Sequence, residues 1–157
     1  MIRIITVGKL KEGYLREACA VYLKRIQGFS PIEVTELKEC RLPDNPSDAE
    51  IAAALEEEGK HILEEKHPRA FWVALCVEGQ QISSHELAQL MEKANMRSHE
   101  ICFVIGSSFG LSPAVKKAAD VRLSISKLTF PHQLMRLILL ESVYRALNIQ
   151  KGTKYHK

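Results

Sequence analysis

Short apolar runs rich in β-branched residues alternate along this chain with stretches whose apolar positions recur every three or four residues. Met1–Val7 is such a run, closed by Gly8, and Tyr14–Gln27 follows with Leu15, Cys19, Tyr22 and Ile26 on one helical face. Ile32–Leu37 predicts a second strand, and Arg41–Asn45, with two prolines in its surroundings, a loop. Ser47 with Glu50 three residues on predicts a helix to about Glu65, because each side chain satisfies an amide that the helix end leaves unpaired. Phe71–Val77 predicts a strand and Gly79 a turn, after which Ser83 and Glu86 cap a helix through about Met96. Ile101–Ile105 is apolar throughout, as in parallel strands covered on both faces. Ser112 and Pro113 open a short helix through Ala119, since proline costs nothing where its missing amide has no helical partner. Val121–Ser126 predicts the last strand, and Pro131 to about Leu147 the last helix.

Five strands and five helices in alternation argue for an α/β fold, a mainly parallel sheet with helices on both faces. No repeat, low-complexity tract or linker interrupts the 157 residues, which predicts a single domain over 1–157. No stretch of about 18 apolar residues occurs, so a soluble cytoplasmic protein without a membrane partner is expected. Lys plus Arg number 22 against 19 Asp plus Glu, so net charge does not by itself imply an anionic partner. Cys19, Cys40, Cys76 and Cys102 are far apart without a CxxC, and the spacing of His61, His67, His85 and His99 suits no metal; reduced structural thiols and no metal site are expected.

Candidate chemistry concentrates at strand exits. "FVIGSSFGLSP" runs a buried strand into Gly106, two serines, Phe109 and Gly110, placing pliable backbone at the carboxyl edge of the sheet, where open α/β proteins bind ligands. It has neither the lysine of a phosphate-binding loop nor the glycine spacing of a dinucleotide loop. "ALCVEG" and "SISKLTFPH" are two further exits of similar character, and the three converge if their strands are adjacent. Ser124, Ser126 and Thr129 offer hydroxyls and amides, while Leu75, Ile105 and Leu128 offer apolar walls, a mixture suited to adenine and ribose.

The glycine loop after "FVIG", the run "SISKLTFPHQLMR", the following "LLESVYRA" and the terminal "YHK" together resemble the bacterial large-subunit ribosomal RNA pseudouridine N3-methyltransferases, of the SPOUT class, and the resemblance extends from "VGKLKEGY" through "EEEGKHIL" and "ISSHELA" to the last residue. It implies a homodimer in which the C-terminal segment threads into a trefoil knot, a topology that general chain-tracing rules argue against. It also implies methyl transfer from S-adenosylmethionine to N3 of a pseudouridine in large-subunit ribosomal RNA, within assembled ribosomes. By that match Leu75, Gly106, Ile125, Ser126, Lys127, Leu128, Thr129 and Phe130 contact the methyl donor, His156 transfers the proton and Tyr155 positions the base. Arg136, Arg145, Lys151, Lys154 and Lys157 would hold RNA phosphates or an anionic base.

Three positions depart from the family pattern: Cys76 replaces an acidic residue, Ser107 a second glycine and Ser142 a glutamine. Ser107 is expected to matter most, because its Cβ would push a left-handed loop out of shape or narrow the cleft. His132, at the start of the last helix, reads as a packing or capping residue. Two rival functions remain open at this point: a ribosome-binding or assembly protein without catalysis, and a methyltransferase for another RNA nucleotide.

Overall fold

The computed structural model describes residues 1–157. Its elements are β1 (Ile2–Val7), α1 (Gly13–Gln27), β2 (Ile32–Leu37), α2 (Asp48–Glu64), β3 (Phe71–Gln81), α3 (Ser84–Arg97), β4 (Ile101–Ile105), α4 (Pro113–Ala118), β5 (Val121–Ser124) and α5 (His132–Lys151). The strands form one parallel sheet in the order β2-β1-β4-β3-β5, so β4, β3 and β5 are neighbours.

Side chains alternate between the two faces of the sheet with period two. Ile2 and Ile4, Val73 and Leu75, and Ile101, Phe103 and Ile105 face α1, α3 and α5. Ile5 and Val7, Trp72 and Ala74, and Cys102 and Val104 face the other way, against Ile62 of α2 and Val115 of α4. Coverage of both faces explains the unbroken apolar run of β4 and the burial of every residue of β1, where Arg3 and Thr6 stand among the apolar positions. Both capping boxes form: Ser47 accepts from the Glu50 amide, Ser83 from that of Glu86, and each glutamate reaches back.

Three boundaries differ from the sequence reading. Gly79 is not a turn but lies inside β3, which runs four residues beyond Val77. A Cβ there would stand 2.8 Å from the carbonyl carbons of Arg122 and Leu123, so the glycine marks a close backbone approach where the β3–β5 register slips between Leu75 and Gln80. β5 ends at Ser124, two residues early, because Ser124 Oγ turns to donate to the Ser126 carbonyl and Ser126 Oγ accepts from the Leu128 amide. α5 continues to Lys151 and stops at Gly152, whose φ of 68° suits the left-handed cap. No helix is long and apolar enough to cross a membrane.

Candidate functional site

Because β4, β3 and β5 are adjacent, the segments leaving them meet at one carboxyl edge and enclose a cleft of about 640 Å³, within the range of small-molecule sites. Leu75–Glu78 forms one wall, Ile105–Leu111 a second, and Leu123–Ile125 with the turn to Pro131 a third; His132 and Met135 of α5 close the end. Of the residues assigned to the methyl donor, Leu75, Gly106, Ile125, Ser126, Leu128, Thr129 and Phe130 line this cleft. Lys127 does not; it is exposed between two lining neighbours. Phe109, Glu78 and Lys116 also line the cleft, Glu78 paired with Lys116 at its rim. Neither Glu78 nor Lys116 stands out in the sequence as a cleft residue, because strand and helix bring them together only in three dimensions.

The glycine loop is shaped differently from what Ser107 suggested. The only positive φ in it belongs to Gly110, at 91°, and no residue other than glycine has a positive φ. Ser107 therefore imposes no left-handed strain, and the expected distortion is absent. The Ser107 side chain points away from solvent and donates from Oγ to Glu58 Oε1 at 2.8 Å. Glu58 Oε2 accepts from the Cys40 amide at 2.9 Å, so one buried carboxylate ties the loop to the segment after β2. Nothing local distinguishes Glu58 from Glu56 and Glu57; only the helical phase it shares with buried Ile62 turns it inward.

Burial raises the Glu58 carboxyl above the ordinary glutamate value, against the lowering effect of its two hydrogen bonds. A carboxyl raised by folding favours the folded state at low pH and weakens it as pH rises through the raised value. Glu58→Gln keeps both contacts, since the amide oxygen accepts from Cys40 and the hydroxyl of Ser107 turns to accept from the amide nitrogen. Its melting temperature relative to the parent is expected to rise between acidic and mildly alkaline pH. Ser107→Ala, which leaves Oε1 short of a donor, should cost about 1–2 kcal/mol at neutral pH. Thermal melts of both variants across pH check these expectations, and parallel curves for parent and glutamine variant would sink the first.

Arg136 is not placed to touch RNA. It is 5% exposed, donates to Glu36 Oε2 at 2.7 Å and to the Gly8 carbonyl at 3.1 Å, and so closes the junction between α5 and the β1–β2 edge. The sequence reading erred because arginine in an amphipathic helix looks like a surface cation, whereas here its partner waits on a strand far away. Lys151, Lys154 and Lys157 are exposed, and Arg145 is half-buried.

The C-terminal tail folds back on α5. Thr153 Oγ1 donates to Asn148 Oδ1 at 2.6 Å, and Tyr155 Oη donates to Glu141 Oε1 at 2.9 Å. Burial first and the bond to Glu141 second push the Tyr155 phenol well above its usual value, so it stays protonated. Tyr155 also packs edge-on against Tyr144, with ring centroids 4.7 Å apart. Tyr155 and His156 are thus brought together with Arg145, but neither lines the cleft of its own chain.

The cleft, the glycine loop and the aromatic tail are features of a chain with close relatives. Residues 1–156 match the family described as "Predicted SPOUT methyltransferase". Over 157 residues, covering 99% of both chains, the protein is 49% identical to a Streptococcus thermophilus (strain CNRZ 1066) protein named "Ribosomal RNA large subunit methyltransferase H". Proteins of the same name from Streptococcus sanguinis and Bacillus pumilus are 48% and 46% identical, again over 99% of each chain. Similarity of this extent leaves no element of the fold outside the match, and the chain belongs to the SPOUT methyltransferase family.

Proposed function

We propose that this protein methylates N3 of a pseudouridine in large-subunit ribosomal RNA, using S-adenosylmethionine, as one methyltransferase unit spanning 1–157. The observation that carries the reading is the cleft where three strand exits meet around Gly106, in a chain whose full-length relatives are named for large-subunit ribosomal RNA methylation. The cleft suits the donor. Leu75, Ile105, Leu123 and Leu128 supply apolar walls for adenine, and the turn from Ile125 to Phe130 supplies backbone amides and carbonyls for its polar edge. At Gly106 a Cβ would lie 2.1 Å from the Gly110 carbonyl oxygen, so the loop closes over bare backbone. The trefoil knot expected of the class belongs to this reading.

S-adenosylmethionine supplies an electrophilic methyl carbon on a positively charged sulfur, which leaves alignment as the main task of the protein. Gly106–Leu111 and Ile125–Phe130 hold the donor from two sides, while exposed Lys151, Lys154 and Lys157 offer cations to RNA phosphates. Tyr155 is anchored at Glu141, about 14 Å along α5 from His132 at the end of the cleft. The tail therefore stands apart from its own cleft, which supports a homodimer in which each tail serves the cleft of the partner. A ribosomal substrate supports a cytoplasmic enzyme.

The test is incubation of purified protein and radiolabelled S-adenosylmethionine with unmodified ribosomes, followed by nucleoside analysis. Label in N3-methylpseudouridine is the expected result. Label on another nucleoside would change the substrate, and ribosome binding without label would favour a non-catalytic assembly role. Mixing a cleft-defective variant with a tail-defective variant should restore activity if the sites are shared.

A further inference from the structure

His156 is the natural candidate for removing the N3 proton, yet its surroundings give it the opposite polarity. Arg145 Nη1 lies 3.2 Å from His156 Nδ1. A guanidinium has donors and no acceptor, so the imidazole nitrogen facing it must present a lone pair. The hydrogen of the neutral ring then sits on Nε2, which has no partner within the chain.

The other contacts hold this arrangement in place. Arg145 is fixed from behind by Glu141, with Nη2 to Oε1 at 2.8 Å and Nε to Oε2 at 3.4 Å. The bond to Glu141 is also the main reason the Arg145 guanidinium is held above its ordinary value. The same Glu141 oxygen accepts from Tyr155, whose ring lies under the Arg145 guanidinium at 4.8 Å. His85 meets the His156 ring edge-on at 4.9 Å and closes a further side. The charged and titratable groups of this network are therefore Arg145, Glu141, Tyr155 and His85, and Nε2, the His156 nitrogen left without a hydrogen-bond partner in the chain, carries the hydrogen.

We infer that His156 acts as a hydrogen-bond donor through Nε2–H to a carbonyl oxygen of the target base, with Arg145 as the positioning residue that sets this tautomer. The inference rests on the pseudouridine methylation proposed above. As N3 loses its proton to water, negative charge spreads onto the flanking carbonyl oxygens, and a fixed N–H aimed there stabilises it. N3 then bonds to the methyl carbon while the carbon–sulfur bond breaks and its electron pair returns to sulfur. The departing proton ends on solvent and the imidazole keeps its own.

Two measurements test this on the full-length protein. Nitrogen-15 NMR of histidine-labelled protein, with His156 assigned by its loss in His156→Gln, should show a protonated Nε2 and an unprotonated Nδ1; Arg145→Met should shift the ring toward the mixture of tautomers found in free histidine. A protonated Nδ1 in the parent would overturn the inference whatever the activity. In the ribosome assay, His156→Ala should lower kcat by about 10²–10³-fold. His156→Gln, which retains an N–H donor but no base, should recover to within about tenfold of the parent, with KM little changed. Glutamine as poor as alanine would overturn the donor role. An inactive parent showing the expected tautomer would instead overturn the methylation reading, so the two failures are separable.

Discussion

Replacing Gly106 by alanine is expected to weaken S-adenosylmethionine binding by about a thousandfold, near 4 kcal/mol. The added Cβ would lie 2.1 Å from the Gly110 oxygen, 2.4 Å from its carbonyl carbon and 3.0 Å from Leu111 Cδ2. Two of these are backbone atoms of a tight turn, closed by the Gly110 amide donating to the Ser107 carbonyl at 2.9 Å, and they cannot rotate away as a side chain would. The turn must open, and the space on its other side is the cleft. Overpacking of this kind typically costs about 1–3 kcal/mol of stability, less than the expected loss of binding, because the displaced atoms enter the volume the donor needs. Calorimetric titration and a thermal melt of the same sample check both parts. Affinity within threefold of the parent would show that the loop is not a wall of the donor site.

Arg136→Met is expected to lower stability by about 3 kcal/mol. Its side chain is 6% exposed and that of Glu36 37%, so the orphaned carboxylate partly rehydrates and the cost falls at the low end for a broken buried pair. The Gly8 carbonyl loses a donor as well. For a chain of this size the melting temperature should fall by roughly 6–12 °C. A residue holding a phosphate would behave otherwise: its loss would reduce the salt dependence of ribosome binding by about one counterion. We expect that slope to be unchanged, and Lys151, Lys154 and Lys157 to be the variants that lower it. A fall in slope without a fall in melting temperature would return Arg136 to the RNA surface.

The contrast between Arg136 and the cleft shows where sequence reading succeeds. Ile101–Ile105, the capping serines Ser47 and Ser83, and Pro113 at the start of α4 were legible because strand burial, capping and proline placement depend on residues within a few positions. The convergence of the three exits needed one further fact, the adjacency of β4, β3 and β5. Gly79 was misread because glycine at a close backbone approach and glycine in a turn look alike in one dimension. Glu58 was invisible among three consecutive glutamates, and Ser107 was read for its Cβ when its hydroxyl, bonded to Glu58, decides its effect. His156 reads from the sequence as the proton-transfer candidate, but the contact that orients its ring comes from Arg145, one side of a network with Glu141 and Tyr155.

Order and type of elements, the parallel α/β class and the stretches bordering the cleft were thus determined by the chain's local pattern, since periodicity of two or 3.6 and the capping of helix ends act between near neighbours. Tertiary structure alone decided which polar groups face one another. The partners of Ser107 and Arg136 lie 49 and up to 128 positions away. A buried charge must find its counter-group wherever the fold brings one, and no short-range pattern encodes that choice.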